Sequence, residues 1–374
     1  MKENKFLYAS FAAVIVLIFL FSAAQIPAAH QSPSDLPVAF VNEDEGEMGE
    51  TLIERIKSQS SQMSTEGEQP IEWEIFGSKE EMMDALNDRE IYGAFVIPGD
   101  YTEKSASLQS PEPQSPELEA FISQGSNMIV ANVVEQAVSG MVEQMNQMMS
   151  EQMLAAAEES DASLSAEQVG IFAEPIQLNI THLHETGEMA NAPLSLFQPL
   201  WMGSLISAIL LFLAGKNRTF TNVKEKFKFR MIQVLTALVL GLLAGFSLTW
   251  FTTFMLGYEY DSFLTVASFL SITGFSFILL ILTTMTWIGF GGIIIFVLLM
   301  FYGLPLVQMA PEMLPAFYQN WIYPWIPMRF MIDGLGEILF FSGSLWNRST
   351  TVLIWILIIS AIFQLSKIWV RKKA

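Results

Sequence analysis

Two histidines, His182 and His184, alternate in THLHETGE with Glu185 and Glu188 just behind them. On one face of a strand, such imidazoles and carboxylates would suit a divalent metal. The simpler reading of the same residues is a hydrated segment beside a membrane. The thioethers of Met141, Met145, Met148 and Met149 would suit copper(I) if they converged, but methionines at helical spacing more often pack. The acidic turn from Glu43 to Glu50 has the composition of a calcium loop, yet Gly46 is misplaced for the EF-hand pattern and no terminal ligand follows at the required distance. Acids at a helix start, near the positive end of its dipole, account for it. The chain has no cysteine, which removes disulfides, thiol catalysis, Cys-ligated zinc and iron–sulfur clusters. It also lacks GxxxxGK[ST] and HExxH, so it has no nucleotide-binding loop of its own. No enzyme activity, cofactor, metal or nucleic-acid partner is expected.

The elements that must position these groups follow from an uneven composition. Of 374 residues, 52% are apolar and 15% charged, and Ser262 to Pro311 contains no Asp, Glu, Lys or Arg. A globular protein near a quarter charged would not leave such a stretch. Between Ala29 and Ser195 lie 31 acidic and 5 basic residues, a formal −26, whereas the rest holds 7 acidic and 14 basic, a formal +7. The chain joins a membrane-spanning material to an acidic, water-facing one.

A spanning helix needs about 20 apolar residues. The sequence predicts a first span at Phe6 to Ile26, with residues 1–28 forming a cytoplasmic N-terminus and that span, then spans at 193–215, 231–257, 263–282, 288–307 and 349–370. The fourth and fifth are divided near TTMTWIG, Thr283 to Gly289. Lys2 and Lys5, the loop from Lys216 to Arg230, and Arg371, Lys372 and Lys373 then fall on one face, which the positive-inside rule makes cytoplasmic. Both termini lie inside and residues 29–191 outside. A cleaved signal peptide ending near Ser22-Ala23-Ala24 is the alternative for the first span.

Within 29–191, LPVAFVN (Leu36 to Asn42), IEWEIF (Ile71 to Phe76) and IYGAFVIP (Ile91 to Pro98) read as strands, with Ile71, Trp73 and Ile75 on one face. A helix carrying Leu52, Ile53 and Ile56, and another capped by Ser78, separate them, giving an α/β layer. SLQSPEPQSPE (Ser107 to Glu117) reads as a loop, and Ser126 to Glu159 as one helix, roughly 50 Å long. Its stripe of Val134, Val138, Met141, Met145 and Met148 needs a partner, either the α/β layer or the same helix of a second copy, making a homodimer or heterodimer. The fold class is thus a polytopic α-helical membrane protein with six transmembrane helices, and an α/β extracytoplasmic domain with a long helix inserted between helices 1 and 2. The five-span domain covers 192–374.

Between the last two spans, residues 309–343 are apolar but broken by Pro311, Pro315, Pro324 and Pro327. They predict a re-entrant or interfacial segment on the outer side, with Trp321 and Trp325 at headgroup level and Arg329, Asp333 and Glu337 on its helix. Arg329 stands four residues before Asp333, the spacing of an intrahelical ion pair. On the opposite side, Lys224, Lys226, Lys228 and Arg230 alternate with Phe227 and Phe229 and form a candidate docking loop for a separate ATPase.

LPVAFVNEDEG, SKEEMMDALNDREIYGAFVIPGDYTE and PWIPMRFMIDGLGEI, in that order, resemble the phage infection protein (Pip/YhgE) family within the type-2 ABC exporter membrane subunit superfamily. The resemblance covers nearly the whole chain and rests on the order of loose motifs. It implies a bacterial, Gram-positive plasma membrane protein, a permease half that moves a lipid, drug or polymer with a separate ATPase. The other function it implies is a non-transporting envelope protein whose outer domain binds wall polymers, proteins or phage. Family members often carry Arg after the Gly-Leu of the last motif, where this chain has Gly336. The short MKENK start offers no amphipathic helix to rest on an ATPase, which leaves the 216–230 loop as the docking surface.

Overall fold

The computed structural model describes residues 15–16, 18–19, 22–29, 33–62, 70–108, 110, 112–159, 166–216 and 218–369. Most of the expected first span, the MKENK start, His30, Arg371, Lys372 and Lys373 lie outside the described residues. The chain divides into two compact units, Ser32–Glu185 and Thr186–Ala374 together with Met1–Gln31.

Unit Ser32–Glu185 is built on a five-stranded sheet: β1 Leu36–Asn42, β2 Ile71–Phe76, β3 Gly93–Ile97, β4 Glu117–Ser123 and β5 Gln177–Leu183. Their order is β2-β1-β3-β4-β5, parallel except where β3 meets β4. The parallel pairs need crossovers, supplied by α1 Glu47–Gln62 and α2 Lys79–Asn87; α3 Tyr101–Ser107 follows β3. Ser78 caps α2 by accepting from Glu81 N, and Glu81 reaches back to Gly77 N rather than to the cap residue itself. One sheet face closes on α2 through Ala39, Val41, Ala94, Val96, Met82 and Leu86, all buried. The other carries an aromatic cluster, Phe40 to Trp73 at 5.9 Å and to Phe95 at 5.6 Å. There α4, Met128–Glu159, covers β3 and β4. Ile75, expected on the buried face of β2, is 62% exposed because β2 is an edge strand. Two strands go beyond the sequence expectation. β4 follows Pro116 directly, and β5 lies in the THLHETGE region read as hydrated juxtamembrane chain.

Among its described residues the second unit contains five helices long and apolar enough to cross a membrane, built around α6 Ala192–Lys216, α7 Val223–Leu256, α8 Phe263–Ile288, α9 Ile293–Gln308 and α11 Arg348–Ser366. Between the last two, α10 is Pro327–Phe340. α8 runs to Ile288, six residues past the expected end at 282. Its threonines do not break it, because Thr284 Oγ1 donates to its own helix at Leu280 O, 2.9 Å. Gly289, with φ +97°, ends it. α7 begins eight residues before the expected Met231, since Asn222 caps it by accepting from Glu225 N at 2.8 Å.

Lipid supplies no hydrophobic force between helices, so close backbone approach and interhelical hydrogen bonds hold such a bundle. Both occur around α8. A Cβ on Gly241 would stand 2.7 Å from Phe275 N, and one on Gly245 would collide with Ser271. On the other flank Ser276 Oγ donates to Leu353 O (2.9 Å), Thr283 Oγ1 to Ser360 O (3.0 Å) and Trp287 Nε1 to Phe363 O (3.0 Å), a ladder between two parallel helices. Trp201 of α6 is fully buried against Phe277 and Phe296.

Gly245→Leu should cost more than about 3 kcal/mol, above the usual overpacking range because the clash is with backbone. Gly203→Leu, at a position with open space around it, should be tolerated. Yield of monodisperse full-length protein in detergent measures both, and equal yields would contradict this packing.

Candidate functional site

The two ends of the helical unit differ chemically. At one end lie the close of α6, the start of α7 and the close of α11, with Lys216, Arg218, Lys224, Lys226, Lys228, Arg230 and Lys367. The expected loop is helical from Val223, so alternate residues sit about 200° apart around the axis and Phe227 and Phe229 face different ways. Phe227 is 42% exposed, with exposed Lys224 and Lys228 beside it. Phe229 is buried under Phe220 (5.5 Å) and the Arg218 guanidinium (4.9 Å), and a Cβ on Gly215 would meet its ring at 2.9 Å. Phe229 therefore serves the bundle, which corrects the expectation that both aromatics are presented outward.

Beneath it lies a polar cluster that sequence reasoning missed. Arg230 Nη1 donates to Gln233 Oε1 (2.7 Å), Gln364 Nε2 donates to the same oxygen (3.0 Å), and Gln233 Nε2 donates to Leu211 O (2.7 Å). The cluster joins α6, α7 and α11. Its only sequence signal was two uncharged amides inside apolar spans.

The opposite end holds the proline-broken segment. It forms a 3₁₀ turn at Pro311–Met313, a π-helical turn at Tyr318–Ile322, a second 3₁₀ turn at Tyr323–Trp325 and then α10. Trp321 and Trp325 are 72% and 79% exposed, as headgroup anchors would be. Arg329 pairs with Asp333 at 3.4 Å and lies 4.6 Å from the Tyr323 ring centroid. The Glu337 backbone carbonyl receives Phe341 N and Gly343 N, ending α10. Gly336 faces open space.

In the α/β unit the methionine stripe is core. Val134, Val138, Met141 and Met145 are buried within the chain, and Met148 at the end of the stripe is exposed. The face of β3 and β4 needs a cover and α4 supplies it, so these residues are not a free face for a second copy. The histidines part company: His182 Nε2 meets Glu135 Oε2 at 3.0 Å, while His184, at φ +51°, meets Ser123 Oγ and Asn87 Oδ1, both at 3.0 Å. Among the described residues no group of three or more His, Asp or Glu side chains is placed to hold a metal. An open cleft of about 760 Å³ lies between α4, the helix α5 Ala166–Ala173 and the start of β5, with Glu143, Glu151 and Glu174 in its lining.

The acidic turn opens α1, with Glu47 and Glu50 exposed in its first turn as expected of a solvated helix start, but one of its acids turns inward. Asp44 is buried and accepts from Gly46 N (3.2 Å), Gly49 N (3.3 Å), Thr102 N (3.1 Å) and Thr102 Oγ1. Burial pushes its carboxyl up, but the Thr102 and backbone donors outweigh that and hold it below the usual value. Gly46 and Gly49 are required because a Cβ at either would strike Thr102 or the Asp44 carboxylate.

A bundle of membrane-length helices marks a membrane protein, and the same chain carries a compact α/β unit. The chain belongs to the family described as protein of unknown function DUF3533, whose model matches residues 6–361. No curated protein matches it. Among solved structures, a domain assigned to an ABC type-2 transporter from Thermotoga maritima MSB8 is 14% identical, is covered over 99% of its length and 42% of this chain, and has a TM-score of 0.28. A likeness that slight carries no argument.

Replacing Asp44 by Ala leaves the Thr102, Gly46 and Gly49 donors without their acceptor and should cost about 2–3 kcal/mol. Urea unfolding of the isolated α/β unit, Ser32–Glu185, followed by Trp73 emission would measure it. His184 gives a pH dependence. Burial first, then the charge of Arg89, holds the imidazole below its ordinary 6.5. Its contribution is therefore complete above that value and is lost as pH falls from there toward the folded value. His184→Gln should flatten the acid-side loss of Tm; an unchanged slope would remove His184 from the account.

Proposed function

We propose that this chain is a permease-like subunit of a type-2 ABC exporter, which moves a lipid, drug or polymer-type substrate with energy from a separate ATPase. In this reading the span at 6–26 precedes the α/β unit, which lies outside the cell between the first and second of six spans. The finer resemblance to the phage infection protein family, and with it a Gram-positive plasma membrane, belongs to the same proposal. The observation that carries it is Phe227, an exposed aromatic between Lys224 and Lys228 at the basic end of α7, in a chain with no nucleotide-binding loop. Aromatic anchors dominate contact energies at interfaces, while surrounding charges steer the encounter.

The alternative is a non-transporting envelope protein whose outer unit binds wall polymers, proteins or phage. It is favoured by the acid-lined cleft beside α4, which has the size of a ligand site.

Phe227→Ala should abolish co-purification of an ATPase in gentle detergent while leaving membrane insertion intact. Phe229→Ala should instead lower the yield of folded protein, because that ring is buried. Cysteines at Ser110 and Ser344 should react with impermeant reagent outside intact cells, whereas one at Thr221 should not. External labelling at Thr221 would overturn the threading. Failure to recover any ATPase from cells would move the conclusion to the envelope reading.

A further inference from the structure

The sheet of the α/β unit has two open edges, and they are not equivalent. β2 carries Glu72 and Glu74 and follows Pro70, charges and proline being devices that keep an edge from pairing with another chain. β5, QLNITHL, holds no carboxylate, lysine, arginine or proline and pairs with β4 over all 7 of its residues without a bulge. Gln177 N donates to Pro116 O (3.0 Å) and Leu183 O accepts from Gln124 N (3.0 Å), so the odd-numbered residues bond to β4. In a parallel pair successive residues address opposite neighbours. The N–H and C=O groups of Leu178, Ile180 and His182 are therefore directed off the edge, without a partner among the described residues. The bland account is that every open sheet ends somewhere and that water satisfies such groups. The side chains beside them argue for more. Those of Leu178 and His182 turn toward α4: Leu178 lines the cleft of about 760 Å³ between α4 and α5, and His182 Nε2 meets Glu135 Oε2 at 3.0 Å. In that cleft Val142, Ile176 and Leu178 give an apolar wall, while Glu143, Glu151 and Glu174 make no ion pair among the described residues.

We propose that β5 and this cleft together form a binding site for an extended basic peptide, which adds to the sheet beside β5 and places a lysine or arginine side chain in the cleft. Main-chain hydrogen bonds to Leu178, Ile180 and His182 supply affinity. Alternate side chains of the added strand fall on the α4 face, where the residue beside Leu178 meets the carboxylates. The occupant is a basic partner rather than a second copy of the chain, because Ala29 to Ser195 holds 31 acidic and 5 basic residues. A second copy would bring the same excess to the interface, and like charges placed together suppress association. The inference rests on the reading in which this unit binds proteins, and narrows it to one class of partner. Loss of peptide binding would leave the ATPase and cysteine-labelling outcomes unchanged, and absence of an ATPase would leave this site intact, so the two fail separately.

The test uses purified full-length protein in detergent and three synthetic octapeptides: valine alternating with lysine, valine alternating with glutamate, and the lysine peptide N-methylated at every residue. Fluorescence anisotropy reads affinity, and residue-resolved hydrogen exchange reads the edge. The lysine peptide should bind at least tenfold more tightly than either of the others. It should slow exchange at Leu178, Ile180 and His182 at least tenfold while the β2 amides keep their rates. Ile180→Pro removes an outward N–H that the sheet does not use and should abolish binding. Should that variant not fold, the N-methylated peptide still isolates the main-chain contribution. Glu143→Gln with Glu174→Gln should remove the preference for lysine, whereas Glu72→Gln with Glu74→Gln, an equal loss of charge at the other edge, should keep it. Equal affinity for the lysine peptide and either of the others, protection at β2 as strong as at β5, equal loss in both glutamine pairs, or a dimer of the chain that protects β5 without any peptide would each overturn the proposal.

Discussion

Everything in the helical unit depends on the burial of α8. A helix in lipid satisfies its own backbone, so what fixes its neighbours is how near they approach and which side chains bond across. α8 uses one device on each flank. Toward α7 it meets glycines, which let backbone touch backbone at Gly241 and Gly245. Toward α11 it offers Ser276, Thr283 and Trp287 as donors to carbonyls. With Trp201 of α6 buried against Phe277, the helix is enclosed by protein rather than lipid.

The α/β unit solves a different problem, a small core in water without disulfides. Its sheet is covered by α2 on one face and α4 on the other, and the turn out of β1 is fixed by one buried carboxylate. Asp44 joins the start of α1 to Thr102 at the start of α3, so two helices far apart in sequence share one anchor. The acids around it keep the surface soluble; Asp44 alone turns inward.

Much of this was legible because it follows from periodicity. Charge-free runs gave the spans within α6, α7, α8, α9 and α11, and Ser78 with Glu81 gave the start of α2. What was not legible depends on partners distant in sequence. β4 and β5 pair with each other across more than fifty residues, and nothing local in QLNITHL announces a strand whose neighbour is ELEAFIS. The split of Phe227 from Phe229 required knowing that helix, not loop, begins at Val223. The stripe on α4 was visible, but the sequence left open whether sheet or second copy would cover it. The role of Asp44 was hidden among four other acids between Glu43 and Glu50, in a composition that resembles a surface.

The hydrogen bonds between α8 and α11 recur about one or two turns apart along both helices, 276 to 353, 283 to 360 and 287 to 363. Such spacing acts like the teeth of a rack. A slide by one residue would part all three donors from these acceptors at once, so the register of α11 against α8 is fixed by side chains and not by apolar packing alone.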